Sequence, residues 1–337
     1  RDVERSRGLG DVYKRQSEYN IGGYILFGRD FDGKTKDEVV DDIHSYQNEA
    51  DIPLLIGVDE EGGTVVRVSS NPNLRETPFL SPKDTYADGG WDAVKQDAEE
   101  KADLLLSLGI NVNLAPVCDM TSDEYGFMYD RSFSSDVDME NRYVRTVVET
   151  SKSKKLGTVL KHFPGYGNNS DTHTGIAYDD RDYSEFENTD FKPFYQGIES
   201  GADCILVSHN IVNCMDSEYP ASLSQKVHDI LRNEFKFDGV IMTDDLIMDA
   251  ITDFTGDEAA AVTAAKCGND LLCCSSVDTQ YPAVLEAVQN GEISEAQVDA
   301  SVKRILKWKQ NLGIFNIDTY QKKVKSTEPT DTVGSEE

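Results

Sequence analysis

The sequence predicts an α/β fold, a (β/α)8 TIM-type barrel with one strand and helix fewer than eight. Short apolar runs alternate with longer segments of helical pattern along most of the 337 residues. Apolar runs without polar alternation are typical of strands buried on both faces, and strand–helix alternation is typical of parallel sheets. A doubly wound open sheet is the alternative. It is less favoured because GVDEEGG, after the second run, lacks the GxGxxG spacing of a dinucleotide-binding loop.

Seven strands and seven helices follow from this pattern. The predicted strands are Tyr24–Phe27, Leu54–Val58, Val112–Val117, Gly157–Leu160, Cys204–Ser208, Gly239–Met242 and Asp270–Cys274. The predicted helices are Lys36–Asn48, Gly90–Leu108, Asp138–Lys154, Asp190–Ser200, Ser224–Glu234, Asp257–Cys267 and Val277–Gln289. Seven units of this size suit a barrel of roughly 250 residues.

Polar residues follow the predicted strands, and they predict the position of a functional site. The strands run into GRD, DEEGG, CDM, KHFPG, SHN, TDD and SS. In a parallel barrel these ends open onto one face, which carries the active site. A single aspartate after a strand is more often a helix cap. Repetition at successive strands favours a site, and its candidates are Asp59, Asp119, Lys161, His162, His209 and Asp244.

Composition excludes several classes of function. The 33 basic and 62 acidic residues give a net charge of −29, which argues against nucleic acid as a partner. No apolar run approaches the ~20 residues of a membrane-spanning helix. The six cysteines show no CxxC spacing, and no HxH or HExxH motif occurs, so we expect neither a metal nor another cofactor.

The two ends differ in composition from the rest, which suggests three regions. Residues 1–16 carry five basic and three acidic side chains without periodicity, and we interpret them as foreign to the fold. Residues 17–318 form the predicted barrel domain. Residues 319–337 are polar and are expected to be a disordered tail. A targeting signal would lie in the first region, so the sequence makes no prediction of localisation.

The loop after the fourth strand carries the most distinctive motif, KHFPGYGNNSDTHTG. Its glycines and asparagines favour turns, and Asp171 lies two residues before His173. An Asx turn beside a surface histidine is the simpler interpretation of that pair taken alone. Histidine has an unperturbed pKa of ~6.5, so it can hold a proton near neutral pH in an exposed loop, and a nearby aspartate favours the protonated form.

The motifs GVDEEGGTVVRV, DRSF, KHFPGYGNN with DTH, and MTDDLIMDA together resemble glycoside hydrolase family 3. The similarity is to its β-N-acetylhexosaminidases, which remove N-acetylglucosamine from peptidoglycan fragments, and it extends from about Asn20 to about Phe315. It implies that Asp244 is the nucleophile, that His173 is the acid/base and that Asp171 orients His173. The implied sugar-binding residues are Asp59, Arg67, Arg131, Lys161 and His162.

The resemblance implies a retaining, cofactor-free glycosidase that acts on a small carbohydrate, an N-acetylglucosamine-containing muropeptide or oligosaccharide. We expect it to be a monomer. It also implies that the first barrel strand and helix are the missing unit, so that two neighbouring strands keep unpaired edges. Most retaining enzymes use two carboxyl groups, and a histidine acid/base departs from that rule.

Alternatives to this reading remain open. A phosphorylase would use the same residues, with phosphate in place of water. A metal-dependent hydrolase ranks low, and a non-catalytic peptidoglycan-binding protein is disfavoured because Asp244 is present. Arg67 and Arg131 could instead be structural salt-bridge partners. The resemblance assigns no role to Asp119 or His209.

Overall fold

A computed structural model describes residue 16, residues 18–167 and residues 175–321. Within these ranges seven parallel strands form one sheet in the order β1-β2-β3-β4-β6-β8-β9, and β5 pairs with β7 in a separate two-stranded sheet. The strands are β1 Gly23–Leu26, β2 Leu55–Val58, β3 Val112–Asn113, β4 Gly157–Phe163, β5 Tyr178–Asp179, β6 Cys204–Val207, β7 Ile211–Val212, β8 Val240–Asp245 and β9 Leu271–Cys273. All seven predicted strands are present.

Helices separate the strands of the main sheet. They are α1 Gly28–Phe31, α2 Lys36–Asn48, α3 Pro82–Ser107, α4 Val137–Lys154, α5 Tyr183–Asn188, α6 Phe191–Glu199, α7 Gln225–Asp229, α8 Asp249–Thr252, α9 Asp257–Lys266, α10 Val277–Gln289 and α11 Glu295–Asn311. A π-helical turn, Ile230–Glu234, extends α7. The sequence did not predict the short helices α1, α5 and α8, the longer helix α11, or the strands β5 and β7. No helix in the described part of the chain is both long enough and apolar enough to cross a bilayer.

Local sequence explains where the longer helices begin. Thr35 accepts the backbone N–H of Glu38, whose carboxylate accepts the N–H of Thr35 in return, so a capping box starts α2. Ser81 caps α3, and the helix begins with a proline at Pro82, eight residues before the predicted start at Gly90. The predicted start at Gly90 is instead a kink, where Gly90 has φ of 65°.

The main sheet curls around an apolar interior. Side chains from β1, β4 and β9, including Ile25, Val159 and Leu271, line one cavity of about 450 Å³. Trp308 of α11 packs into the same interior cluster. In the described residues, the end strands β1 and β9 do not pair with each other. The observed architecture is therefore a curled parallel sheet, and the described residues do not close it into a complete barrel.

A second apolar layer lies outside the sheet and fixes the end of β4. Phe163 stacks on Phe191 at a ring-centroid distance of 5.6 Å and meets Phe194 edge-on at 5.1 Å. Both partners lie on α6, and all three rings are at most 1% exposed. This packing anchors the strand that carries Lys161 and His162.

Candidate active site

The candidate site lies at the carboxyl ends of the parallel strands. Asp59 follows β2, Asp119 follows β3, Lys161 and His162 lie in β4, and Asp244 lies near the end of β8. Since these strands are parallel, their carboxyl ends share one edge of the sheet. The predicted convergence of polar strand ends is present in the structure.

Lys161 is the central cation of the site. Its Nζ lies 2.5 Å from Asp59 Oδ1 and 2.6 Å from Glu61 Oε1, and its side chain is only 2% exposed. Burial disfavours the charged ammonium, but the two carboxylates outweigh this effect and raise the pKa of Lys161. An ammonium has three N–H groups, and the described residues use two of them.

Arg131 extends the network through the same glutamate. Its Nε donates to Glu61 Oε2 at 2.9 Å and its Nη2 donates to Glu61 Oε1 at 2.7 Å, which is a bidentate ion pair. Burial favours the neutral form of Glu61, but Lys161 and Arg131 hold the pKa of this carboxyl well below its usual range. Arg131 thus forms a structural salt bridge, which the sequence analysis had considered as an alternative to sugar binding.

His162 is fixed by Asp119. Asp119 Oδ2 accepts from His162 Nδ1 at 2.7 Å and from the His162 backbone N–H at 3.0 Å, while its Oδ1 accepts the Tyr166 N–H at 2.7 Å. A carboxylate can only accept, so Nδ1 carries the proton and Nε2 accepts from Arg131 Nη2 at 3.3 Å. The histidine is therefore held in one tautomer with its ring fixed at both nitrogens.

Arg67 differs from Arg131 in its contacts. The buried carboxylate of Glu60 accepts the backbone N–H groups of Arg67 and Val68 at 2.9 and 2.7 Å and so holds this turn. The Arg67 guanidinium donates to the Val66 carbonyl, and among the described residues it forms no ion pair. It is half-buried, so its remaining N–H groups are available to a ligand.

Asp244 and Asp245 have different environments. Asp245 accepts the N–H groups of Ile247 and Ser275 and the Ser275 hydroxyl, so it braces the turn after β8. Burial, with the nearby Asp244 charge as a lesser cause, raises the pKa of Asp245. Asp244 Oδ1 accepts the Asp245 N–H at 2.8 Å.

His209 supports the same turn from β6. Its Nε2 lies 2.9 Å from the Asp245 carbonyl and its Nδ1 lies 2.7 Å from the Ser222 hydroxyl. A carbonyl only accepts, so Nε2 carries the proton and Nδ1 accepts from the hydroxyl. The fully buried His209 is thus a support for the end of β8, and its side chain is not exposed to a substrate.

The structure brings together four of the predicted site residues, Asp59, Arg131, Lys161 and His162. Asp244 lies on the same edge two strands further along, and a strand spacing of ~4.8 Å puts β8 about 10 Å from β4. Asp171 and His173 lie outside the described residues. They remain predictions. The same holds for the nucleophile role of Asp244 and for the sugar-binding roles of Asp59, Arg67, Arg131, Lys161 and His162.

Two carboxylates of the site, Glu61 and Glu140, were not predicted, and a third, Asp119, was a candidate to which no role was assigned. Glu61 was within the quoted DEEGG motif but was not selected, and Asp119 had been placed on the active face without a role. Glu140, on α4, accepts the Ser134 N–H at 2.9 Å and so fixes the turn that carries Arg131. Burial raises the pKa of Glu140 well above its ordinary value. Asp119 was selected because it follows the predicted strand Val112–Val117, whereas no comparable signal marked Glu140.

The network is suited to binding a polyhydroxylated ligand. Asp59 is 19% exposed and presents a carboxylate, while Lys161 and Arg67 each have N–H groups that no other described residue accepts. Alternating fixed donors and acceptors match sugar hydroxyls, each of which donates one hydrogen bond and accepts others. Within the described ranges, no cluster of three or more His, Cys, Asp or Glu side chains has the geometry to hold a metal ion.

Comparison with known proteins identifies the family of this chain. The family model described as "Glycosyl hydrolase family 3 N terminal domain" matches residues 11–308. The chain belongs to glycosyl hydrolase family 3. A β-hexosaminidase of Hydrogenovibrio crunogenus is 31% identical over 286 residues, which cover 82% of this chain and 79% of the relative. A β-hexosaminidase of Nitrosomonas eutropha is 32% identical over 267 residues, which cover 77% and 75%.

A solved structure extends the comparison to the fold. The family 3 β-N-acetylglucosaminidase from Paenibacillus sp. superposes with a TM-score of 0.85 at 29% identity, covering 93% of this chain. The match covers 60% of the Paenibacillus chain, so this chain spans about three fifths of that enzyme. The family and its relatives identify this family 3 member as a glycoside hydrolase of the β-hexosaminidase type, which acts on carbohydrate.

Proposed function

We propose that this family 3 protein is a retaining β-N-acetylglucosaminidase that works through a covalent glycosyl-Asp244 intermediate. The observation that carries the proposal is the position of Asp244 at the carboxyl end of β8, on the same edge as the Asp59–Lys161–Glu61 network. The Paenibacillus neighbour, described as a β-N-acetylglucosaminidase, supports the choice of sugar. We propose terminal N-acetylglucosamine of peptidoglycan-derived or chitin-derived oligosaccharides as the substrate.

The proposed reaction has two displacements. In the first, an Asp244 oxygen attacks the anomeric carbon, the bond to the leaving oxygen breaks, and His173 transfers its proton to that oxygen. In the second, water attacks the anomeric carbon, His173 takes the proton from the water, and the Asp244 carboxylate is released. Asp171 accepts the other N–H of the imidazole and stabilises its protonated form.

The binding network has a separate role in this proposal. Asp59, Lys161 and Arg67 would bind the hydroxyls of the terminal sugar, and His162 would support them at the β4 end. Because Lys161 and Glu61 are already fixed by buried contacts, little side-chain ordering is needed when the sugar binds. We also propose that the curled sheet is a TIM-type barrel whose first strand and helix are not among the described residues, since both end strands, β1 and β9, line the same cavity.

The proposed acid/base can be tested by leaving-group dependence. His173→Ala should lower kcat/KM for an N-acetylglucosamine disaccharide by about 10²- to 10⁴-fold, because the leaving oxygen needs a proton. A dinitrophenyl N-acetylglucosaminide should lose far less, since its phenolate leaves without one. His44→Ala, a change on the exposed face of α2, is the control and should leave both rates unchanged. Equal losses on both substrates in His173→Ala would rule out the acid/base role.

A further inference from the structure

We infer that Arg181 is a positioning residue for proton transfer, because it joins the two ends of the chain segment between Gly167 and Gly175. The inference rests on the proposed function, in which this segment supplies the acid/base. No sugar contact is assigned to Arg181.

Arg181 binds Asp179 in the chain that follows Gly175, which we call the returning end of the segment. Its Nε lies 3.0 Å from Asp179 Oδ1, its Nη2 lies 2.7 Å from Oδ2, and its own backbone N–H donates to Oδ1 at 3.0 Å. Asp179 ends β5, whose partner is β7, and the Asp179 carbonyl accepts the Asn213 N–H at 2.9 Å. The returning end is thereby attached to the chain that follows β6.

Arg181 also contacts the chain that leads up to Gly167, which we call the departing end of the segment. Its Nη2 donates to the Gly165 carbonyl at 3.3 Å, and its Nη1 donates to Asp190 Oδ2 at 2.9 Å. The guanidinium packs so closely on Gly167 that a Cβ there would lie 2.7 Å from Arg181 Cζ. A Cβ on Gly165 would collide with Asp190 Oδ1. The glycines at the departing end therefore fit directly against the Arg181–Asp190 pair.

The departing end is connected in turn to the binding network. Tyr166, between the two glycines, donates its N–H to Asp119, the same carboxylate that fixes His162. The chain that leads into the segment is thus connected to the sugar-binding network through Tyr166. Through Arg181 it is also connected to the small β5–β7 sheet. Asp179 and Asp190 are 2% and 3% exposed, so these ion pairs are little screened by solvent.

A lysine at position 181 cannot make the same set of contacts as Arg181. A guanidinium makes several N–H contacts in a fixed plane, whereas an ammonium is a single point of charge on a flexible stem. Arg181→Lys keeps the charge but cannot hold Asp179, Asp190 and the Gly165 carbonyl at once. A displacement of about 1 Å in a catalytic group can cost on the order of 100-fold in rate. The loss should fall on the step that needs the proton.

The test measures leaving-group dependence in Arg181→Lys. We expect kcat/KM for the N-acetylglucosamine disaccharide to fall by about 10- to 100-fold, and kcat/KM for the dinitrophenyl substrate to change by less than about 3-fold. Gly167→Ala, whose new Cβ must displace the guanidinium, should give the same pattern if Arg181→Lys folds poorly. Equal changes on both substrates, or no change, would overturn the inference.

Arg232 provides a matched control. It is also a half-buried arginine with an aspartate partner, Asp270, at 2.6 Å, and it donates to the Phe237 and Gly239 carbonyls, but it contacts neither end of the segment. Arg232→Lys should lower Tm without separating the two substrates. If the loss of activity in His173→Ala does not depend on the leaving group, the proposed function is wrong. If the loss depends on the leaving group in His173→Ala but not in Arg181→Lys, only the positioning role of Arg181 is wrong.

Discussion

Asp244→Ala is expected to lower kcat for an aryl N-acetylglucosaminide by about 10⁴-fold or more, because it removes the proposed nucleophile. Azide, which is small enough to occupy the space of the missing carboxylate, should restore part of the turnover and yield an α-glycosyl azide. Steady-state rates and the configuration of the azide product are the measurements. The folded state should persist, since Asp244 is a half-buried side chain at the end of β8.

Asp249→Asn is the control for that substitution. Asp249 is an exposed aspartate in the first turn of α8, five residues along the chain, and its loss should change kcat by less than about 2-fold. An Asp244→Ala protein that retains a tenth of the original activity without azide would contradict the nucleophile assignment.

Glu61→Gln should lower the free energy of unfolding by about 3–5 kcal/mol, because it leaves Lys161 and Arg131 buried with a neutral amide in place of their shared counter-ion. Chemical denaturation monitored by fluorescence is the measurement. Glu99→Gln is the control, since Glu99 pairs with Lys95 at an exposed position on α3, and its loss should cost less than about 1 kcal/mol.

The loss of stability caused by Glu61→Gln should depend on pH in one direction. The folded-state pKa of Glu61 is held below its unfolded value of ~4.3, so its contribution to stability is present above that pH and is lost as the pH falls. The difference in unfolding free energy between the original protein and Glu61→Gln should therefore shrink from pH 7 towards pH 3. A difference below 1 kcal/mol at pH 7 would show that Glu61 is not the counter-ion of the network.

Strand positions were predictable because buried parallel strands are continuous apolar runs between helices. Elements without that signal were missed. The strands β5 and β7 have two residues each, too few for any periodicity, and α11 mixes charged residues with buried Trp308 and Lys309. The start of α3 at Pro82 was missed because Gly89 and Gly90 interrupt the pattern.

The site was predictable as a set of strand ends but not as a network. Parallel topology alone indicates that Asp59, Lys161 and Asp244 share one edge of the sheet. The sequence does not show which of the acidic residues 59–61 turns toward Lys161, since this depends on the turn that Glu60 holds through backbone N–H groups. Likewise, Glu61 and Arg131 are separated by 70 positions, and only the fold brings them together.

Mass spectrometry of a trapped intermediate tests the central claim most directly. A fluorinated N-acetylglucosaminyl substrate that forms its glycosyl-enzyme faster than it hydrolyses should add one sugar to the protein, and proteolysis should place that sugar on the peptide containing Asp244. Asp244→Ala should remain unlabelled under the same conditions. A sugar attached to any other residue, or turnover of the reagent with no labelled species formed, would contradict the glycosyl-Asp244 mechanism.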